Sequence, residues 1–517
     1  MFPAMRSLLP RRLSVRRDWI GVPSWRFTPF GRSDVKHSSN IPASTESAAL
    51  GYKPVHALPG TSGWSIPYWM FIKGYFHKLH QLQLIEHNKF GPMWRTGAFV
   101  NVADNNLIEQ VLRQDEKYPE RVVGSLWAEQ RKVQGMANGI ITAEGEEWYR
   151  LRTLLNERML KPQGALLYQG VINEVLTDFI DRIQRLRLAS ESGVTVRNIT
   201  TELQKYTFEA IAAILLEIRM GCLQEKIPEE TQKFITAVAT MLRSLVYCEY
   251  LPKWTRNWLP FWKQYLQAWD DMFAFARKAV DKKMVQIREL MDAGHSVEGH
   301  YLTHLLTSEM NQSEIYSSIT ELLLGGVDTT ANTLTWALYC LAKNPEVQER
   351  VFREIWSGCP GEQVPTAQDF SKMPLLRAVI KETLRLYPVV PNMVRTLHRD
   401  IVLGGYHIPQ KTTFILCHYA MSYSEQNFPD PHHFKPERWL RGADSHKHHP
   451  FSSLPFGFGV RGCIGRRVAE LEMQLTLARL LKRFQLKLEP GTKEIPAKSR
   501  IVLVPENPIN LQLLDRL

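Results

Sequence analysis

Two long stretches, YLQAWDDMFAFARKAVDKKMVQIREL from Tyr265 and SEIYSSITELLLGGVDTTANTLTWALYCLAKN from Ser313, repeat apolar residues every third or fourth position without a break. An apolar stripe of that length is buried by packing on other helices, so a helical assembly is dictated. The same period recurs in GEEWYRLRTLLNERML, VINEVLTDFIDRIQRLR and LQKYTFEAIAAILLE. PEVQERVFREIW begins with Pro345 in a tolerated first-turn position, and LLRAVIKETLRLYP is stopped by Pro388. Strand signals are shorter: MWRTGAFVNVA, IVLGGYHIP, TTFILCHYA, and a late pair near LKLEP and IVLVP. The predicted class is mainly α with minor β, as a single large helical domain with small β-sheets. No linker, low-complexity tract or repeat period after about residue 50 argues for a second domain.

The formal net charge is +12, and half of it lies in residues 1–36. There Arg6, Arg11, Arg12, Arg16, Arg17, Arg26, Arg32 and Lys36 face only Asp18 and Asp34. An Arg-rich, acid-poor leader predicts a mitochondrial transit peptide over 1–36 ahead of a globular domain over 37–517; a plain basic tail is the alternative. No apolar core follows the arginines, so a secretory signal is not expected. Because the excess sits in the leader, nucleic acid is not an expected partner. No run approaches the length of a spanning helix. LPKWTRNWLPFWKQYL mixes tryptophan with lysine and arginine, which suits either a membrane edge or the surface of a helix pair. The six cysteines contain no C-x-x-C pair, so neither a disulfide framework nor a zinc site is expected, and a reducing compartment such as the mitochondrial matrix fits.

One cysteine has unusual neighbours. FGFGVRGCIGRR places Cys463 among four glycines, directly before the helical pattern RRVAELEMQLTLARLLKRF. A cysteine ahead of a helix meets unpaired N–H groups and the positive end of the dipole, both of which favour thiolate. The glycines let a flat, bulky partner approach the backbone. A rigid thiolate with one open side suits ligation of haem iron for oxygen chemistry. Within LLLGGVDTT, Gly325 and Gly326 interrupt an apolar helix ahead of Asp328 and Thr329. Such a site is either a kink that accommodates a neighbour or an opening where acid and alcohol relay protons.

The order Phe456-x-x-Gly459-x-Arg461-x-Cys463-x-Gly465 resembles the haem-binding loop of the cytochrome P-450 superfamily, the haem-thiolate monooxygenases. The resemblance extends over about residues 50–517. It implies haem b with Cys463 as axial ligand, in a loop that begins at Phe456. It implies a buried ion network of Glu382 and Arg385 from KETLR with Arg438 from PERW, locking the cysteine region. It makes Asp328 and Thr329 the acid–alcohol pair that protonates iron-bound dioxygen. It assigns Trp148, Arg152, Arg395 and Arg461 to the haem propionates, where a planar guanidinium suits a carboxylate.

No G-x-G-x-x-G follows a strand, so electrons must come from an external donor. Arg377 and Lys381 share a helix face, and Arg466 and Arg467 follow the cysteine loop. Such a basic face steers an acidic redox protein. By resemblance to mitochondrial members, that partner is an adrenodoxin-like [2Fe–2S] ferredoxin with its NADPH-dependent reductase. Longer stretches, among them LLKPQGALLY, KETLRLYPVVP and RRVAELEMQLTLARL, resemble the mitochondrial sterol 26(27)-hydroxylases of bile-acid synthesis. The resemblance thus implies O2-dependent hydroxylation of a sterol side chain by an enzyme peripheral to the matrix side of the inner mitochondrial membrane. Vitamin D (secosteroid) hydroxylases and a retinoid oxidase of the same branch are alternatives. A haem-thiolate isomerase needing no electron donor, or a non-catalytic haem sensor, is more distant. VPNMV and a WAEQRKVQGMANGI loop are expected to line the pocket.

Overall fold

The computed structural model describes residues 51–121, 125–294, 301–442 and 448–516, so the leader over 1–36 lies outside the described residues. Twelve helices of eight residues or more carry the described fold: α1 Leu79–Phe90, α2 Asn105–Leu112, α3 Ser125–Gln134, α4 Gly145–Met159, α5 Gln169–Leu188, α6 Ile199–Leu215, α7 Glu229–Tyr250, α8 Phe261–Asp292, α9 Gln312–Lys343, α10 Pro345–Gly358, α11 Pro374–Leu386 and α12 Arg466–Arg483. The central member is α9. Asn311 caps it, accepting the Glu314 N–H at 3.0 Å while the Glu314 carboxylate accepts the Asn311 N–H at 3.0 Å. From Ile315 to Leu341 it is buried on nearly every side, because α6, α8, α10, α11 and α12 all pack on it. A helix apolar all round is one that belongs inside.

The α9 glycines do not break the helix, contrary to the interruption the sequence suggested. They have different surroundings. A Cβ at Gly326 would come within 2.7 Å of Ile211 Cγ1, so this glycine lets α6 approach closely. In front of Gly325 there is open space, and the residue is exposed. The helix therefore stays regular while α6 closes one side of it and the other side stands open.

The largest sheet has five strands: β1 Gly60–Thr61, β2 Met93–Thr96, β3 Phe99–Val102, β4 Met393–Thr396 and β5 Thr413–Leu416, in spatial order β1-β2-β3-β5-β4. It buries Trp94, Val100, Val102, Phe414 and Leu416 in a second core beside the helical one. IVLGGYHIP, read as a strand signal, is two strands, Ile401–Leu403 and Tyr406–Ile408, paired as a hairpin. Three sequence expectations are corrected. The TTFILCHYA strand stops at Leu416, and His418–Ser422 is a helical turn. The late segments do not pair with each other: β6 Phe484–Leu488 pairs with β9 Leu511–Asp515, and β7 Ala497–Ser499 pairs with β8 Leu503–Pro505. WAEQRKVQGMANGI is not all loop, since its first half belongs to α3.

Candidate active site

Residues 456–463 fold into a tight loop ahead of α12. The Cys463 N–H donates to the Phe456 carbonyl at 2.8 Å, and the Gly462 N–H donates to that of Gly459 at 3.0 Å. Gly457 at φ 74° and Gly459 at φ 68° occupy the left-handed region that favours glycine. Of the six cysteines, five are buried and Cys463 alone is exposed. Cys417, for example, is sealed behind β5 with its thiol on the Ile415 carbonyl. Protein crowds the Cys463 thiol closely enough that desolvation raises its pKa. The Gly465 N–H and the guanidinium groups of Arg152, Arg121 and Arg466 oppose that rise. Of these opposing groups, the sequence pointed only to the backbone N–H groups ahead of the helix.

Four arginines gather beside the loop. Arg152 Nη2 donates to the Gly462 carbonyl at 2.7 Å. Arg461 Nε donates to the Pro119 carbonyl at 2.9 Å, its guanidinium stands 3.8 Å from the Trp148 ring centroid, and it pairs with Glu144. Arg395, on β4, is held by Asp115 at 2.9 and 3.1 Å and by the Phe458 carbonyl at 3.3 Å. Arg121, which the sequence did not single out, faces the same group, near Glu144 and Cys463. Arg395 pairs with Asp115 and Arg461 with Glu144, while Arg121 and Arg152 have no carboxylate within ion-pair distance among the described residues. The strain shows in the titrations. Burial, then Arg121, lowers Arg461 to about 9, burial lowers Arg152 to about 10, and burial raises Glu144 to about 7. The Nε atoms of Arg121 and Arg152 are buried without a hydrogen-bond partner among the described residues.

On α9, the Thr329 hydroxyl donates to the Gly325 carbonyl at 2.7 Å. The Asp328 carboxylate accepts from Gln204 Nε2 of α6 at 2.8 Å; burial raises its pKa, and Gln204 and Arg500 oppose the rise. On α11, which packs against α12, Glu382 and Arg385 are fully buried. Glu382 accepts from Arg385 at 2.8 and 3.0 Å, Arg438 Nε at 3.0 Å, Trp439 Nε1 at 2.8 Å and the Lys435 N–H at 3.0 Å. Arg385 also donates to the carbonyls of Ser422, Pro431 and His433. The structure therefore brings Glu382, Arg385 and Arg438 together around one carboxylate.

The Cytochrome P450 family model matches residues 59–513. The chain belongs to the cytochrome P450 family. Among relatives, mitochondrial sterol 26-hydroxylase of Mus musculus is 47% identical over 472 residues, covering 89% of this chain and 88% of the relative. The Homo sapiens sterol 26-hydroxylase is 45% identical and covers 86% of each. Mitochondrial 25-hydroxyvitamin D-1 alpha hydroxylase of Homo sapiens is 43% identical over 490 residues, covering 91% and 96%. The crystal structure of the cytochrome P450DA heme domain superposes with a TM-score of 0.75 at 20% identity, covering 90% of this chain and 98% of that one, and shares the fold.

This P450 is a monooxygenase, and its family binds haem through a cysteine thiolate. The residues present fit that group. One thiol is accessible, open space stands before Gly325, and the two guanidinium groups without an ion-pair partner, Arg121 and Arg152, suit the carboxylates of haem b. The four basic residues expected to meet an electron donor differ in their surroundings. Arg377 and Lys381 are exposed on α11, which packs against α12. Arg466 and Arg467 on α12 are exposed too, but both pair with Glu470, at 2.9 and 3.7 Å. Sequence reasoning missed Arg121, Glu144, Asp115 and Gln204, and no local spacing marks any of them.

Proposed function

We propose that this P450 hydroxylates the terminal side-chain carbon, position 26 or 27, of cholesterol-like sterols and bile-acid intermediates. The carrying observation is 45–47% identity over 86–89% of the chain to mitochondrial sterol 26-hydroxylases from four mammals. A secosteroid is the second reading, favoured by the 42–43% identical 25-hydroxyvitamin D hydroxylases. When bound, haem supplies the activation of O2 that inserts one oxygen atom into an unactivated C–H bond. Cys463 would hold it through its thiolate, in a loop made rigid by the Cys463–Phe456 hydrogen bond. Arg121, Arg152 and Arg461, with Trp148 and Arg395 behind them, take the two propionates, whose charge removes the excess in the arginine cluster. Thr329 and Asp328 would supply protons to that oxygen chemistry beside Gly325; Gln204 holds the acid in place. Glu382, Arg385 and Arg438 brace the loop from behind.

Electrons arrive from a [2Fe–2S] ferredoxin and its NADPH-dependent reductase, steered by Arg377 and Lys381, with Arg466 and Arg467 in support. The leader over 1–36 directs the chain to the mitochondrion, and the P450 domain over 37–517 sits on the matrix side of the inner membrane. Among the described residues no helix is long and apolar enough to cross a membrane. A surface attachment is supported by exposed Trp64, Phe71, Ile72, Trp254 and Trp258, set among exposed Lys73, Lys253 and Lys263. Ring contacts join the two halves of this surface, Phe71 to Phe76 at 5.3 Å, Phe76 to Tyr247 at 6.3 Å, and Tyr247 to Phe261 at 4.2 Å. Tryptophan and lysine in that mixture suit the headgroup layer.

The test is product identification by mass spectrometry, with ferredoxin, reductase and NADPH supplied, against a panel of sterols and secosteroids. A terminally hydroxylated sterol is expected. Oxygenation of the secosteroid alone would replace the first reading with the second, and turnover without O2 uptake would remove both.

A further inference from the structure

A buried ion pair between α3 and α9, whose acid also acts on Arg121, is not used by anything described so far. Arg131 of α3 and Glu321 of α9 meet at 3.0 Å, with side-chain exposures of 2% and 0%. The same carboxylate accepts the Ile141 N–H at 2.6 Å and the Thr142 hydroxyl at 2.8 Å. At Gly139 a Cβ would overlap it, so the chain there can run directly across the acid. On its other side, the Arg131 guanidinium lies 4.2 Å from the Trp269 ring centroid and 4.5 Å from that of Phe273, both on α8. One carboxylate thus collects α3 and the 139–142 loop onto α9, and one guanidinium collects α8.

Position along α9 gives the pair its meaning. Glu321, Gly325 and Thr329 follow at four-residue intervals and share one stripe of the helix. Gly325 opens onto free space, and the Thr329 hydroxyl rests on its carbonyl. The clamp at Glu321 therefore stands one turn from the opening and holds α3 and the 139–142 loop beside it. Two buried charges are a poor way to gain stability, since well-packed apolar residues do as well or better. What they add is a single register: an acid with three donors cannot slide along its partner as an apolar contact can.

We propose that Arg131 and Glu321 are positioning residues that fix α3 and the 139–142 loop as the roof of the substrate cavity, and so set which carbon is presented for oxygenation. The choice of assay substrate rests on the sterol reading; the roof itself does not. A second α3 ion pair, Glu129 with Arg256 at 2.6 Å, is more exposed and reaches the 251–259 segment instead, which makes it a control.

The experiment uses the full-length holoenzyme with Glu321→Gln, Arg131→Met, the double variant, and Glu129→Gln as control. Glu321→Gln keeps one acceptor oxygen, enough for Ile141 or Thr142 but not both, and leaves the Arg131 charge unbalanced; the double variant restores neutrality. Hydrogen exchange, needing no substrate, is expected to speed up about tenfold across 125–142 in both singles and the double, and to stay unchanged in α12 and in the control. With sterol, KM is expected to rise about tenfold and the product mixture to spread to neighbouring carbons, while the reduced carbon monoxide spectrum keeps its thiolate form. Thermal stability is expected to recover in the double variant, but product selectivity is not. Selectivity that returns with stability would overturn the positioning role in favour of a structural one. Unchanged exchange over 125–142 would overturn the clamp outright. If the wild type makes no sterol product, the sterol reading fails by itself and the exchange result decides this proposal.

Discussion

Replacing Glu382 with glutamine tests how the cysteine region is held. The substitution removes the carboxylate that Arg385 and Arg438 share, inside a site where Glu382 and Arg385 are fully buried. Breaking a buried pair by removing one partner costs about 3–5 kcal/mol, because the remaining charge is uncompensated. The amide oxygen still accepts from Trp439 or Lys435, and Arg385 keeps three carbonyl acceptors, so the middle of that range, about 4 kcal/mol, is the working value. Folded residues number roughly 450 here, and unfolding entropy of about 2 cal/mol/K per residue makes 4 kcal/mol equivalent to a drop of about 4 °C in melting temperature. The assay is a thermal melt of holoenzyme at one scan rate, followed by absorbance at the haem band. Haem loss is expected to run with the melt, because the bracing lies behind the cysteine loop. A melt within 1 °C of wild type would refute the account of a buried acid neutralising two guanidinium groups.

Cys463→Ser is expected to lose the thiolate-type absorbance of the reduced carbon monoxide complex, and a retained band would move the ligand elsewhere. Thr329→Ala should still bind haem and sterol but divert reducing equivalents to peroxide, read as hydrogen peroxide formed per NADPH consumed; unchanged coupling would count against its proton role. Lys381→Ala should weaken ferredoxin affinity severalfold at low ionic strength and flatten its salt dependence, and an unaltered salt profile would place docking elsewhere. Burial lowers His80 and His418 to about 4, so both stay neutral in the folded chain. The unfolded chain takes up those protons near 6.5, so stability is present above that pH and is lost as pH falls through the range from 6.5 to 4, by up to ~3 kcal/mol for each histidine. His418→Gln should flatten melting temperature against pH between 6.5 and 5, and a slope equal to that of wild type would exclude His418.

The long helices were legible because their apolar period persists through many turns, and α9 and α8 were bounded nearly as the structure has them. Helix α7 was harder: its buried Phe234, Ala237, Met241 and Leu245 keep the period, but threonines and valines between them blur it. The β4 strand carrying Arg395 is too short to announce itself, and its partner β5 lies across a hairpin and two turns. The cysteine loop was readable because its glycines and arginines are contiguous. The groups that tune it were not, since each arrives from a remote part of the chain: Pro119 is 342 residues from Arg461, Asp115 is 280 from Arg395, and Gln204 is 124 from Asp328. Nothing local in YPERVVG distinguishes Arg121 from a solvated arginine. Only the fold turns it into part of a four-arginine cluster.

The burial of five thiols beside one accessible one has a practical consequence. A membrane-impermeant maleimide applied to native protein will find a single target, and that target is the atom proposed to disappear behind iron. The number of labels per chain then equals the fraction of molecules made without cofactor, measured without reference to any absorbance band. Preparations of this protein can be graded by mass shift alone.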